Sequence, residues 1–181
     1  MLRFIYMFKK GYANMSYIIA IIAIILGVAL DQYTKALAVE HLKDGAIPLI
    51  DGVFELRYLE NRGAAFGMLQ NQQTFFLIVA VITLAAMTLI YVRMPHTKKY
   101  VPLRICLVSI VAGAIGNMID RIRLDYVIDF FYFKLINFPI FNVADIYATC
   151  ASILLILLLI IYYKDEDIDE VYNTLKFKKN K

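Results

Sequence analysis

Four long apolar runs dominate the pattern along this chain: Tyr17 to about Val39, Thr74–Val92, Leu103 to about Arg121, and Phe141–Tyr163. A helix that crosses a bilayer needs ~20 mostly apolar residues, with a range of ~17–25, so each run predicts a transmembrane helix. The third run sits at the short end of that range, and the first contains Asp31. The first is too long for a removable signal peptide and carries no small-residue cleavage pattern. The expected fold is an all-α membrane protein: four transmembrane helices in one domain over 1–163, then a charged tail over 164–181 with weak helical character around Glu166–Leu175. Residues 1–14 read as a short basic anchor or as a dispensable extension ahead of Met15.

Between the first two runs the pattern changes. Ile47-Pro-Leu-Ile and Val53-Phe-Glu-Leu-Arg-Tyr-Leu-Glu read as short strands, with Asp51-Gly52 as the turn between them. They predict a small β-platform over about 44–71. The segment Ile122–Ile140 is rich in aromatic residues (Tyr126, Phe130, Phe131, Tyr132, Phe133, Phe138), which favour the headgroup level of a membrane.

Composition agrees with the bilayer reading, since 61% of the 181 residues are hydrophobic and the mean hydropathy is +0.67. The net charge of +4 could suggest nucleic acid, but in a membrane chain it reflects the preference of basic residues for the cytoplasmic side. With both termini inside, the inner segments hold twelve basic residues and the outer ones seven. The short loop Arg93–Arg104, with four basic residues, is the most telling, because the rule works best on short loops. It belongs inside, which puts the β-platform outside. Cys106 and Cys150 lie in apolar runs and read as buried small hydrophobes. His41 and His96 begin no HExxH motif and join no His/Cys cluster, so no metal and no other cofactor is expected.

Ionisable groups inside spans are costly and are functional candidates by default. At ~1.5 Å per residue, Asp31 lies ~21 Å, Asp120 ~25 Å and Asp145 ~27 Å above the inner face of a core ~30 Å thick. Three carboxylates from three spans thus converge near the outer boundary, and Asp129 reaches the same level from the connecting loop. Asn117-Met-Ile-Asp120 ends the third span and Asn142-Val-Ala-Asp145 opens the fourth. Positions i and i+3 share a helix face, so amides and carboxylates can meet across one cleft. Two carboxyls, one neutral and one ionised, can activate water. Asp120 has Arg121 beside it as an obvious cationic partner or neighbour, whereas Asp129 sits in Val127-Ile-Asp-Phe-Phe with none, where desolvation would raise its pKa. The residues leave both Asp129–Asp145 and Asp120–Asp145 open, with the former modestly favoured. A capping or ion-pair role explains any single aspartate equally well. Ser16, Ser109 and Ser152 have no partner base at a recognisable spacing, GxSxG and GxGD are absent, and neither cysteine has a base. A small ion carrier is the competing class, since carboxylate clusters also mark ion pathways; here they gather at one face and do not step across the bilayer. A membrane assembly factor would not need the convergent Asn/Asp set.

Five blocks in order, Asp31-Gln-Tyr-Thr-Lys35, Asn61-Arg-Gly-Ala-Ala-Phe-Gly67, Ala112-Gly-Ala-Ile-Gly-Asn-Met-Ile-Asp-Arg121, Val127-Ile-Asp-Phe130 and Phe141-Asn-Val-Ala-Asp145, resemble the motifs of bacterial lipoprotein signal peptidases, over about 17–163. The resemblance implies a membrane aspartyl endopeptidase that cuts prolipoproteins on the amino side of a diacylglyceryl-cysteine, with Asp129 and Asp145 as catalytic pair. It implies that Asn61, Asn117, Arg121 and Asn142 line the substrate site, and that Asp31 and Lys35 support the fold; Asp120 is grouped with them. It implies lipid-modified prolipoproteins and membrane lipids as partners, a monomer, and a bacterial cytoplasmic membrane location with the site near the outer face. Three departures are visible: Ala112-Gly113 where Gly-Gly is common, Phe66 where Trp is common, and Ile-Tyr-Ala-Thr-Cys after Asp145. None touches the aspartates. Gly63 and Gly67 suit tight backbone geometry in a clamp over the peptide, or an ordinary turn.

Overall fold

In the computed structural model, which describes residues 2–63 and 68–176, the four apolar runs are helices. They are α1 (Leu2–Leu42), α2 (Gln73–Arg93), α3 (Val101–Leu124) and α4 (Val143–Leu157). The stretches long and apolar enough to cross a membrane are Ala13–Leu42, Gln73–Arg93, Lys98–Leu124 and Val143–Tyr162. The first begins and ends beyond the run read from hydropathy, and α1 is unbroken through its polar Asp31–Lys35 turn. Pro102 opens α3, where a missing N–H costs nothing, and Asp125 closes it in the left-handed conformation, with φ 63°. A reciprocal capping box starts α4: the Asn142 side chain accepts from the Asp145 amide, and the Asp145 carboxylate accepts from the Asn142 amide. Beyond Leu157 the last turn widens into a π-helical stretch, Leu158–Tyr162.

Burial ranks the helices. Half of the apolar window of α3 is buried, while none of α2's is, so α3 is the central post and α2 lies against it with its outer face toward lipid. Small residues let α3 approach its neighbours closely, the usual solution where lipid removes the hydrophobic drive between helices. A Cβ on Gly113 would stand 2.5 Å from the Ala144 carbonyl oxygen of α4, and one on Gly116 would stand 2.5 Å from Asp31 Oδ2 of α1. Ala112, at the first departure from the family pattern, faces Gly27, where a Cβ would meet it at 3.2 Å; the glycine on the partner helix leaves room for the Ala112 methyl.

The platform is a three-stranded antiparallel sheet, β1 (Ile47–Ile50), β2 (Phe54–Asn61) and β3 (Val127–Tyr132), in that order. The two N-terminal strands match expectation. The third corrects it: part of the segment read as an aromatic interfacial loop pairs with β2, Leu59 opposite Asp129 and Asn61 opposite Val127. Val127-Ile-Asp-Phe-Phe-Tyr lacks alternation because its first four residues are buried on both faces, and a short unalternating run does not announce a strand. Cys106 is fully buried, but Cys150 is exposed on α4, which corrects the reading of both as buried; an apolar run facing lipid can expose any of its small residues. The tail forms α5 (Asp165–Leu175), tied to the start of α3 by Lys99 bonding Asp167 and by Tyr100 Oη donating to Glu170 at 2.5 Å. Ala64, Ala65, Phe66 and Gly67, part of the second motif block, lie outside the described residues, as do 177–181.

Candidate active site

At the sheet end of the bundle, the polar residues picked out from the sequence form one connected set. Lys35 of α1 is 1% exposed. Its ammonium lies 2.9 Å from Asp31 Oδ2 and 2.9 Å from Asp120 Oδ2, and it donates to Asn117 Oδ1 at 2.9 Å. Asp31 also caps the start of α4, accepting from the Ala144 amide at 2.9 Å. Asp120 accepts from the Ile128 amide at 3.1 Å, which ties the end of α3 to β3. The cation expected for Asp120 was its neighbour Arg121; the structure gives it Lys35 instead, because i and i+1 point apart on a helix.

Asp129 and Asp145 have a different setting. Asp129 is 1% exposed and accepts from Asn142 Nδ2 at 2.6 Å and from Asn61 Nδ2 at 2.8 Å. Asp145 accepts from Asn117 Nδ2 at 2.8 Å and from the Asn142 amide at 3.1 Å. Asn142, itself fully buried, therefore touches both carboxylates. Among the described residues, no Lys or Arg is within ion-pair distance of either. Burial first, and then the charge of Asp145, push the Asp129 carboxyl up to about 7, against the opposing pull of Asn61, Asn142 and Lys35.

Chain geometry explains these meetings. Asn61 ends β2 one diagonal step from Asp129 on β3, within reach for a side chain on the same face. Asn142 and Asp145 are N-cap and N3 of α4, so the capping geometry that starts the helix also aims the carboxylate. Arg121 stacks on Phe76 of α2, its Cζ 4.8 Å from the ring centre. It donates weakly to the Asn117 carbonyl at 3.4 Å, and its Nε has no acceptor. Sequence reasoning overlooked Gln32, whose amide donates to Asp120 Oδ1 at 2.9 Å and to the Gly116 carbonyl at 3.2 Å. Its signal was a second polar residue beside Asp31 within an apolar helix. Phe76 was overlooked as well; nothing in α2's uniform apolarity marks it. Among the described residues, no group of three or more His, Cys, Asp or Glu side chains is arranged to hold a metal ion.

The signal peptidase (SPase) II family matches residues 21–161, all five blocks among them. The chain belongs to the signal peptidase II family. Lipoprotein signal peptidases of Streptococcus pyogenes serotype M5 (strain Manfredo) and serotype M1 are each 43% identical to it over 148 residues, covering 81% of this chain and 94% of theirs. A bacterial membrane enzyme solved by the in meso method at 2.3 Å resolution superposes with a TM-score of 0.70 at 30% identity, over 81% of this chain and 92% of that one. A second, solved at 1.9 Å, gives 0.68 at 30% identity, over 80% and 94%. Like other members of the signal peptidase II family, the chain is a multi-pass membrane peptidase, and removal of signal peptides from prolipoproteins is the role of that family.

Proposed function

We propose that this chain cleaves signal peptides from diacylglyceryl-cysteine prolipoproteins by aspartic catalysis, with Asp129 and Asp145 as the dyad. The observation that carries the reading is Asn142, which donates to Asp129 through its side chain and to Asp145 through its backbone. It holds two carboxylates in one site without neutralising either. Asp129, whose carboxyl burial holds protonated up to about pH 7, donates its proton to the scissile carbonyl oxygen. Asp145, ionised, takes a proton from water, and the resulting hydroxide attacks the carbonyl carbon. As the tetrahedral intermediate collapses, Asp145 returns a proton to the leaving amine and Asp129 recovers one from the gem-diol. No metal or organic cofactor enters the scheme.

Arg121, flattened on Phe76 with an unpaired Nε, holds a backbone carbonyl of the substrate in this scheme. Asn61 carries the sheet's grip to Asp129, beside the extended peptide that the site would hold. Asn117 orients Asp145. The four basic residues of the Arg93–Arg104 loop support an orientation with both termini cytoplasmic and the sheet at the outer face. A substrate can then leave its acyl chains in lipid while its peptide enters the site. One chain supplies every group in the scheme, which supports a working monomer.

The test is cleavage of a synthetic diacylglyceryl-cysteine prolipoprotein by purified wild type, Asp129→Asn, Asp145→Asn and Asp120→Asn, with folding checked by melts. Loss in the first two variants and residual activity in the third supports the dyad. Full activity in Asp129→Asn with none in Asp120→Asn moves it to the two NxxD motifs. A well-folded wild type that cleaves nothing without a gradient sinks the peptidase reading.

A further inference from the structure

α1 and α3 touch closely at Gly27 and Ala112, one turn short of Asp31. On the side away from the sheet, a groove of about 490 Å³ opens between them, walled by Ile19, Ala20 and Ala23 of α1 and by Ile105 and Val108 of α3. Met15 and Gly27 mark its two ends, twelve residues of helix or ~18 Å, a little more than the ~15 Å of one leaflet. Ser16, Tyr91 and Arg104 stand at the mouth, with the exposed Lys98 on the adjoining loop.

Arg104 gives this groove its chemistry. It is 6% exposed. Its terminal nitrogens donate to the carbonyls of Tyr91 at 3.1 Å and Met94 at 2.8 Å, and its Nε has no acceptor. All fifteen Asp and Glu side chains of the chain lie among the described residues, and none is within ion-pair distance of it. Carbonyl dipoles and the face of the Tyr91 ring, 4.5 Å from Cζ, hold this buried guanidinium, but no carboxylate compensates its charge, and the side chain lines a groove that opens to the membrane. We propose that this groove seats one anionic glycerophospholipid, an acyl chain between α1 and α3 and the phosphate against Arg104. The lipid belongs to the leaflet on the side of the Arg93–Arg104 loop. It supplies the anion that the chain omits, and its acyl chain fills the wedge that the Gly27 crossing leaves behind. The site is separate from the Asp129–Asp145 cleft, so it stands whether or not that dyad is catalytic.

The experiment is native mass spectrometry with parallel thermal melts, on the full chain in a neutral detergent with phosphatidylglycerol or phosphatidylcholine added. Wild type should retain one phosphatidylglycerol and melt higher with it, and should lose phosphatidylcholine. Ala23→Phe fills the groove from an exposed position; it should lose the bound lipid while cleaving a lipidated peptide at the wild-type rate. Arg104→Gln should weaken phosphatidylglycerol retention about fivefold, the weight of one basic side chain at an anionic surface. Because Arg104 also ties down loop carbonyls, Ala23→Phe decides the matter if that variant does not fold. Equal retention of the two lipids by wild type, undiminished phosphatidylglycerol retention in Ala23→Phe, or its displacement by an unlipidated signal peptide would each overturn the proposal.

Discussion

Two pairs of buried aspartates share the sheet end of this bundle and are held by opposite means. Asp31 and Asp120 close on one ammonium, Lys35, at 2.9 Å each. Asp129 and Asp145 touch no cation among the described residues and are held by the amides of Asn61, Asn117 and Asn142. A carboxylate paired with a buried lysine is a settled ion, since removing either charge strands the other in low dielectric. A carboxyl held by amides keeps its hydrogen bonds but gains no paired counter-charge, and Asp129 thereby keeps its proton up to about pH 7. Asn117 joins the two pairs. Its Oδ1 accepts from Lys35, which has only protons to give, so its NH₂ must face Asp145. The structural pair thereby sets the direction in which the amide serves the proposed dyad.

The comparison breaks most easily at its largest expected effect. Asp129→Asn and Asp145→Asn should each cut the cleavage rate of a lipidated peptide by about 10⁴-fold, the upper range for removing a positioned acid or base, with melting unharmed. If either variant instead melts well below wild type while keeping the wild-type cleavage rate, the distinction between the pairs is wrong. Lys35→Met tests the other half. It leaves two buried carboxylates facing each other and should destabilise the fold by about 3–5 kcal/mol, read from denaturant or thermal melts in detergent. Gly116→Ala probes the same pair sterically: its Cβ would stand 2.5 Å from Asp31 Oδ2. A cost of about 1–3 kcal/mol, typical of overpacking, is expected, and a wild-type melt would show that Asp31 can move aside.

The smallest effect is the pH response. Asp129 holds its proton up to about 7, above its unfolded value, so the stability contributed by its neutral form is present at low pH and is lost as pH rises through about 7. If Asp129 is the general acid, kcat/KM should fall about tenfold per unit above that point. Asp129→Asn, already neutral, should flatten the melting profile across the same window. An unchanged profile in that variant would reassign the alkaline limb to another group.

Helix number and type were legible because the spans are long and the membrane requires continuous apolarity. Asn117 and Asn142 were legible for a related reason: each stands three residues before an aspartate at the end of an apolar run, whereas Asn61, at the end of a strand, was picked out only by the motif resemblance. β3 was not legible, because burial on both faces removes the alternation that marks a strand. Nor was the partner of Asp120. Sequence adjacency pointed to Arg121, while its actual cation comes from a helix about eighty-five positions earlier in the chain.

The sequence by itself determined four spans, a polar set near one end of them, and membership in a peptidase family through five ordered motifs. Those rest on local composition and spacing, which a linear reading carries whole. Only the tertiary structure decided which aspartates share a lysine and which share asparagines. Side-chain partnership in a bundle depends on which helix faces are turned together and how closely glycines let them approach. The uncompensated Arg104 at the far end was equally invisible, because whether a charge has a partner is a property of three dimensions.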